Sequence, residues 1–69
     1  MKISARNTIK GRIKSVVQGP VSAEVVLNVA PGIEIVAVIS SNSAKALKLK
    51  KGKKAYAIIK ASSVMVGVE

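Results

Sequence analysis

The chain has no cysteine, no histidine, no phenylalanine and no tryptophan, and its 69 residues carry one tyrosine, Tyr56. Without cysteine there are no disulfides and no thiolate metal sites. Without histidine, the commonest transition-metal ligand and the commonest general base are both missing. The carboxylates are three, Glu24, Glu34 and Glu69, too few and too scattered to cage a hard cation. No metal-cation site is therefore expected. Nucleophilic catalysis lacks its usual base, and Lys60 with Ser62 would merely share a face if both lie on a strand. No glycine-rich phosphate loop or dinucleotide fingerprint occurs. The chain does not read as an enzyme. No apolar run approaches the roughly 20 residues that cross a bilayer, and the N-terminus lacks the apolar stretch of a secretory signal. A cytoplasmic protein that does not enter membranes is the expectation.

What the sequence does have is positive charge. Twelve Lys and Arg against three Glu leave 12 − 3 = +9, and self-repulsion of that size asks for an anionic partner. Nucleic acid, a membrane surface and small oxyanions are the candidates. A chain this short makes one unit, residues 1–69, and buries only about 60% of the surface it exposes when unfolded. With disulfides and metals excluded, assembly into an oligomer is the remaining way to bury more.

The periodicity is that of strands. Ile9, Gly11, Ile13, Ser15 and Val17 alternate with Thr8, Lys10, Arg12, Lys14 and Val16, which predicts a strand with a basic outer face. Gly11 in its middle marks a bulge or a strong bend. After Gln18-Gly19-Pro20, residues 21–30 place Val21, Ala23, Val25, Leu27 and Val29 on one face. Pro31-Gly32 turns the chain. Residues 33–40 are nearly all apolar and read as a third strand buried on both faces. Ser41, Asn42 and Ser43 offer N-caps to a short helix with Ala44, Ala46, Leu47 and Leu49, and Gly52 closes it or the next turn. A fourth strand spans residues 53–61, with Ala55, Ala57 and Ile59 facing one way and Tyr56 and Ile58 the other. Residues 64–68 read as a last short strand. Five short strands with one short helix between the third and fourth make an all-β fold, an OB-like five-stranded Greek-key barrel.

Two binding chemistries suit such a barrel. Lys10, Arg12 and Lys14 could track the phosphates of a nucleic acid, but stacking platforms for bases are reduced to Tyr56, so that reading stands second. A small oxyanion uses what is abundant: Ser, Lys, Arg and free backbone N–H groups. A fully deprotonated tetrahedral dianion accepts hydrogen bonds and donates none, so a site built only of donors admits it and disfavours hydrogen phosphate. Composition alone does not choose among such dianions.

Ser4-Ala5-Arg6-Asn7, ahead of the first strand, resembles the signature that opens the molbindin (Mop) domain, a module of the TOBE/Mop type. The likeness continues through Lys10-Gly11, the Gly19 to Val25 stretch, Ile39-Ser40 with Ser43, Lys51-Gly52-Lys53, Ile59-Lys60-Ala61-Ser62 and Val64-Met65. It spans essentially the whole chain. The resemblance implies an OB-like subunit that assembles into a hexamer, a trimer of dimers, binding molybdate or tungstate between subunits for storage, buffering or delivery, with no catalytic cofactor. It places Ser4, Ala5 and Arg6 on one side of the oxyanion site, and Ser40, Ser43, Lys60 and Ala61 on the neighbour's side. Ala5 and Ala61 would contribute backbone N–H alone. A second oxyanion site is expected at Gly19, Val21 and Ser22.

Each of these residues also has an ordinary role open to it. Ser4 and Asn7 suit a turn, Arg6 a solvated surface, and Ser40 and Ser43 a helix cap. Lys60, between Ile59 and Ala61, needs either solvent or a counter-charge. Residues 45–54 read as a solvated basic face, Met65 as packing, and Tyr56 as core with its hydroxyl at the rim.

Overall fold

The computed structural model of the chain describes Met1–Glu69. Its elements are β1 (Asn7–Gln18), β2 (Ser22–Ala30), β3 (Ile33–Ser40), α1 (Ser41–Ala46) and β4 (Lys54–Ile59), followed by one 3-10 turn at Ala61–Ser63. All pairings are antiparallel, in the order β3-β2-β1-β4. Three consecutive strands thus form a meander and the fourth returns beside the first, which is Greek-key connectivity. The sheet is curled, with one short helix at its end. Ile13, Val25, Leu27 and Ala57 make its buried centre, with Val16, Val29, Ile35, Ile39, Leu49 and Ala55 packed around them.

Alternation explains most of β2 and β4 as expected: Ala23, Val25 and Leu27 are buried, and Ala57 is buried between exposed Tyr56 and Ile58, but Val21, expected on the same face, precedes β2 and is 80% exposed. In β1 the alternation breaks. The register against β2 shifts between Ile13 and Ser15, so Lys14 is the extra residue of a bulge. Beyond it the faces exchange: Val16 packs against the core and Val17, expected inside, is 63% exposed. Gly11 has a different reason from a bulge. A Cβ there would lie 2.7 Å from the Asn28 carbonyl oxygen, so glycine permits β2 to cross close over β1.

Two expectations fail outright. β3 is not buried on both faces: Ile35, Ala37 and Ile39 are half-buried while Val36 and Val38 lie in the open. It is the edge of one sheet with nothing packed on its outer side. The fifth strand is absent. Residues 64–68 pair with no strand, and Met65, expected to pack, is 92% exposed. An apolar alternation makes a strand only where an edge receives it, and the 3-10 turn carries this segment away from both edges of its own sheet.

Helix α1 is capped by Ser40, whose Oγ accepts from the Ser43 N–H at 3.0 Å; Ser41 and Asn42 lie inside the helix rather than at its cap. Its last carbonyls meet Lys53, whose Nζ donates to the Leu47 oxygen at 2.6 Å, where a cation favours the helix dipole.

Candidate functional site

The sequence candidates fall into two groups at opposite ends of β1. At the first end, Ser4, Ala5 and Arg6 lead into β1 and Lys60 and Ala61 leave β4. The Asn7–Ile59 pairing holds the two segments side by side, and Asn7 Nδ2 donates to the Ile59 carbonyl at 3.2 Å. Together with Ile58 and Ser62 they line a depression of about 580 Å³. None of the lining residues is acidic. Arg6 and Lys60 are exposed and have no ion-pair partner, since the one salt bridge of the chain joins Lys14 to Glu34. Lys60 therefore takes the solvent option, and its charge is free for an anion. Ala61 and Ser62 begin the 3-10 turn, where the first N–H groups lack partners inside the turn. Ser62 entered the sequence reading only beside Lys60 and within the Ile59-Lys60-Ala61-Ser62 stretch, without a site role; its place beside Arg6 depends on the β1–β4 pairing.

At the other end stand Ser40, Ser43, Gly19, Val21 and Ser22. Ser22 and Ser40 are cross-strand partners, and the Ser40 Oγ donates to the Ser43 Oγ at 2.7 Å. Residues taken from the sequence as parts of two separate sites are thus one continuous patch of hydroxyls. Two further residues hold it in place. Ser41, the one buried polar side chain, is 4% exposed. Its Oγ donates to the Gly19 carbonyl at 2.5 Å and its N–H donates to the Val21 carbonyl at 2.9 Å. Gln18 Nε2 donates to the Ser41 carbonyl at 3.1 Å, and the Gly19 N–H to the Ser22 carbonyl at 2.9 Å. The loop at residues 19–22 is fixed to the start of α1. A serine beside a helix start signals a cap; nothing in its spacing signals this burial.

Within one chain, Lys60 and Ala61 sit with Arg6, and Ser40 and Ser43 sit at the other end of a twelve-residue strand. No single chain brings all seven main-site residues together. The basic strand face is partly spent on the fold itself: Arg12 donates to the Gly52 carbonyl at 3.1 Å, and Lys14 pairs with Glu34. Lys10 faces Tyr56 across the β1–β4 pairing, which is one aromatic and no stacking row.

Comparison with known proteins bears on what these donors serve. The family model described as "TOBE domain" matches residues 3–66. A "Probable molybdenum-pterin-binding protein" of Haemophilus influenzae is 51% identical over the full length of both chains. The structure of MopII from Clostridium pasteurianum superposes with a TM-score of 0.91 at 40% identity, covering 97% of this chain and 100% of that one. The cytoplasmic molybdate-binding protein ModG, solved with molybdate bound, matches with a TM-score of 0.83 at 43% identity over 88% of this chain and 43% of its own. These likenesses run through both ends of β1 and show the OB-like Mop fold. The chain belongs to the TOBE-domain family, among the molybdenum-pterin-binding (Mop) proteins.

Proposed function

We propose that the chain is a cytoplasmic binding protein for molybdate or tungstate, that residues 1–69 act as one unit, and that it stores, buffers or delivers the oxyanion without catalysing a reaction. The observation that carries this is the pair of donor sets at the two ends of β1, the first around a depression lined by no acid. Arg6 and Lys60 supply charge, and Ser4, Ala5 and Ala61 neutral donors, around one depression; Ser40 and Ser43 supply neutral donors at the other end. In the proposed arrangement the cationic end of one copy meets the hydroxyl end of another, in a hexamer built as a trimer of dimers. The division then falls between Lys60 and Ser40, not between Arg6 and Lys60. Val21 and Ser22, contiguous with Ser40, serve a second oxyanion near the same contact, and Gly19, whose N–H is taken by the Ser22 carbonyl, shapes the loop rather than donating to the anion.

A tetrahedral dianion with no proton suits such a site because every neighbour donates. Hydrogen phosphate brings a proton that meets another donor, and is rejected on that ground. The relatives' own descriptions, molybdenum-pterin-binding and molybdate-binding, agree with this ligand chemistry. Anion bound between copies also stabilises the assembly by mass action.

Calorimetric titration with molybdate, tungstate, sulfate, phosphate and a short single-stranded DNA tests the reading. Saturable molybdate and tungstate binding with phosphate silent is expected. DNA binding with steep salt dependence and no heat from molybdate would transfer the function to the basic face of β1.

A further inference from the structure

The positive charge of this chain is not evenly spread. Six of its twelve Lys and Arg stand between Lys45 and Lys54, and no acid occurs between Glu34 and Glu69. Lys45, Lys48, Lys50, Lys51 and Lys54 are exposed. None has an ion-pair partner, since the one salt bridge joins Lys14 to Glu34. Like charges held this close repel one another and work against the compact state. Lys53 alone of the six has a structural use, donating to the Leu47 and Lys48 carbonyls at 2.6 and 3.3 Å. Lys48 keeps left-handed backbone, with φ 54, at a helix end where glycine is the favoured residue.

These lysines are mounted on a fixed frame rather than on a loose basic tail. The Gly52 N–H donates to the Ile13 carbonyl at 2.8 Å, and the Ile13 N–H donates to the Lys53 carbonyl at 2.9 Å. Arg12 adds its bond to the Gly52 carbonyl, and the Lys53 N–H closes a turn on the Lys50 carbonyl at 3.1 Å. Beside this frame Lys14, Lys50 and Lys51 line a depression of about 580 Å³, with Val16 and Leu49 as its apolar members. Both apolar side chains belong to the margin of the core. No lining residue is acidic or aromatic. Leu47, between Lys45 and Lys48, is 59% exposed.

We propose that this surface, residues 45–54 with Lys14 and Val16, docks an acidic segment of a different protein that carries apolar residues among its carboxylates. The carboxylates meet Lys50, Lys51 and their neighbours, and an apolar side chain settles on Val16 and Leu49. The backbone of the loop is already ordered, so little of its freedom is lost on binding. Opposite charge steers the encounter and suppresses wrong partners. A nucleic-acid strand fits less well, because it needs stacking faces that the depression lacks. Phosphates are also gripped best by the Arg forks that residues 45–54 do not contain. A second copy of the chain does not match either: its carboxylates are scattered at Glu24, Glu34 and Glu69. The surface holds no residue of the oxyanion site, and the inference goes beyond that reading.

Fluorescence anisotropy with a labelled synthetic peptide of repeating Asp-Leu-Glu tests the proposal. Two variant peptides accompany it, one with Asn and Gln for the acids and one with Ser for Leu. Saturable binding of the first peptide is expected, with either exchange weakening it. K50E/K51E should lose roughly tenfold or more in peptide affinity. K51E alone should lose several-fold, and K10E, the same change of net charge on β1 outside the depression, far less. Equal losses in K51E and K10E would mean attraction to net charge alone and overturn the proposal, as would the absence of saturable binding. A Ser-exchanged peptide that binds as well as the first removes Val16 and Leu49 from the contact and also overturns it. Binding of oligothymidylate or phosphatidylserine vesicles without binding of the peptide gives the surface to nucleic acid or lipid instead. Thermal melting checks that K50E/K51E is folded; should it not be, K51E against K10E decides.

Discussion

The two ends of β1 both carry hydrogen-bond donors, in opposite physical states. At the N-terminal end the donors are long, charged and exposed, and Asn7 alone ties the segments together. At the C-terminal end they are short and neutral, knitted by Ser41, Gln18 and the Ser40 cap into a fixed patch. Charge acts at a distance and needs no fixed geometry to attract an anion. Fixing a long cationic side chain costs up to about 2 kcal/mol of rotamer freedom. Short hydroxyls on a rigid frame lose little and define shape. The comparison assigns affinity chiefly to the first end and discrimination to the second.

The strongest way to break that assignment is to remove the charges. Arg6→Ala and Lys60→Ala each delete charge-assisted hydrogen bonds of about 1.5–3 kcal/mol, an expected loss of roughly 10- to 150-fold in molybdate affinity. The double variant should lose most, and a calorimetric titration matching the parent would refute the assignment. Arg6→Lys keeps the charge but not the fork, so its titration should fall between parent and Arg6→Ala. Thermal stability should barely move in any of the three, because exposed substitutions usually stay within about 0.5 kcal/mol.

The other end should behave in the reverse sense. Ser41→Ala leaves the half-buried Gly19 carbonyl without its donor, at a cost of about 1 kcal/mol. For a domain this size that lowers the melting temperature by roughly 4–8 °C per kcal/mol, readable by scanning calorimetry. Ser40→Ala removes the cap of α1 and costs about 1 kcal/mol, with weaker discrimination of molybdate from sulfate as its ligand-side signature. An unchanged melting temperature in both would show that the loop at residues 19–22 is held by other means. The smallest expected effect is salt. Raising ionic strength from about 0.15 to 1 M shortens the screening length from roughly 8 to 3 Å. Parent affinity should fall more than that of the Arg6→Ala/Lys60→Ala variant, and equal sensitivity would mean that the charges act only at contact.

Much of the fold was legible because it is local. The alternations of β2 and β4, the turn at Pro31-Gly32 and the serine-capped helix each depend on a few neighbouring residues. The face of Val17 was not legible, because a bulge one residue long inverts every side chain beyond it, and Lys14 carries no mark of being the extra residue. The exposure of β3 was hidden for a related reason: an apolar run reads the same at a buried centre and at an edge that awaits a partner. The candidate site residues were named through their resemblance to the Mop family, but their grouping within one chain was not legible. That Ser22 lies across from Ser40, and Lys60 beside Arg6, follows from strand registers between residues far apart in sequence.

The sequence by itself determined the inventory of chemistry: no cysteine or histidine, three carboxylates, a surplus of cationic and hydroxyl donors, and the periodicity of strands. Those properties belong to residue identity and short-range periodicity, which no fold can change. Only the tertiary structure decided where the donors stand, that Ser41 is buried beneath them, and that residues 64–68 find no edge in their own sheet. These depend on register, twist and closure, which arise from long-range pairing and are set for the whole sheet at once.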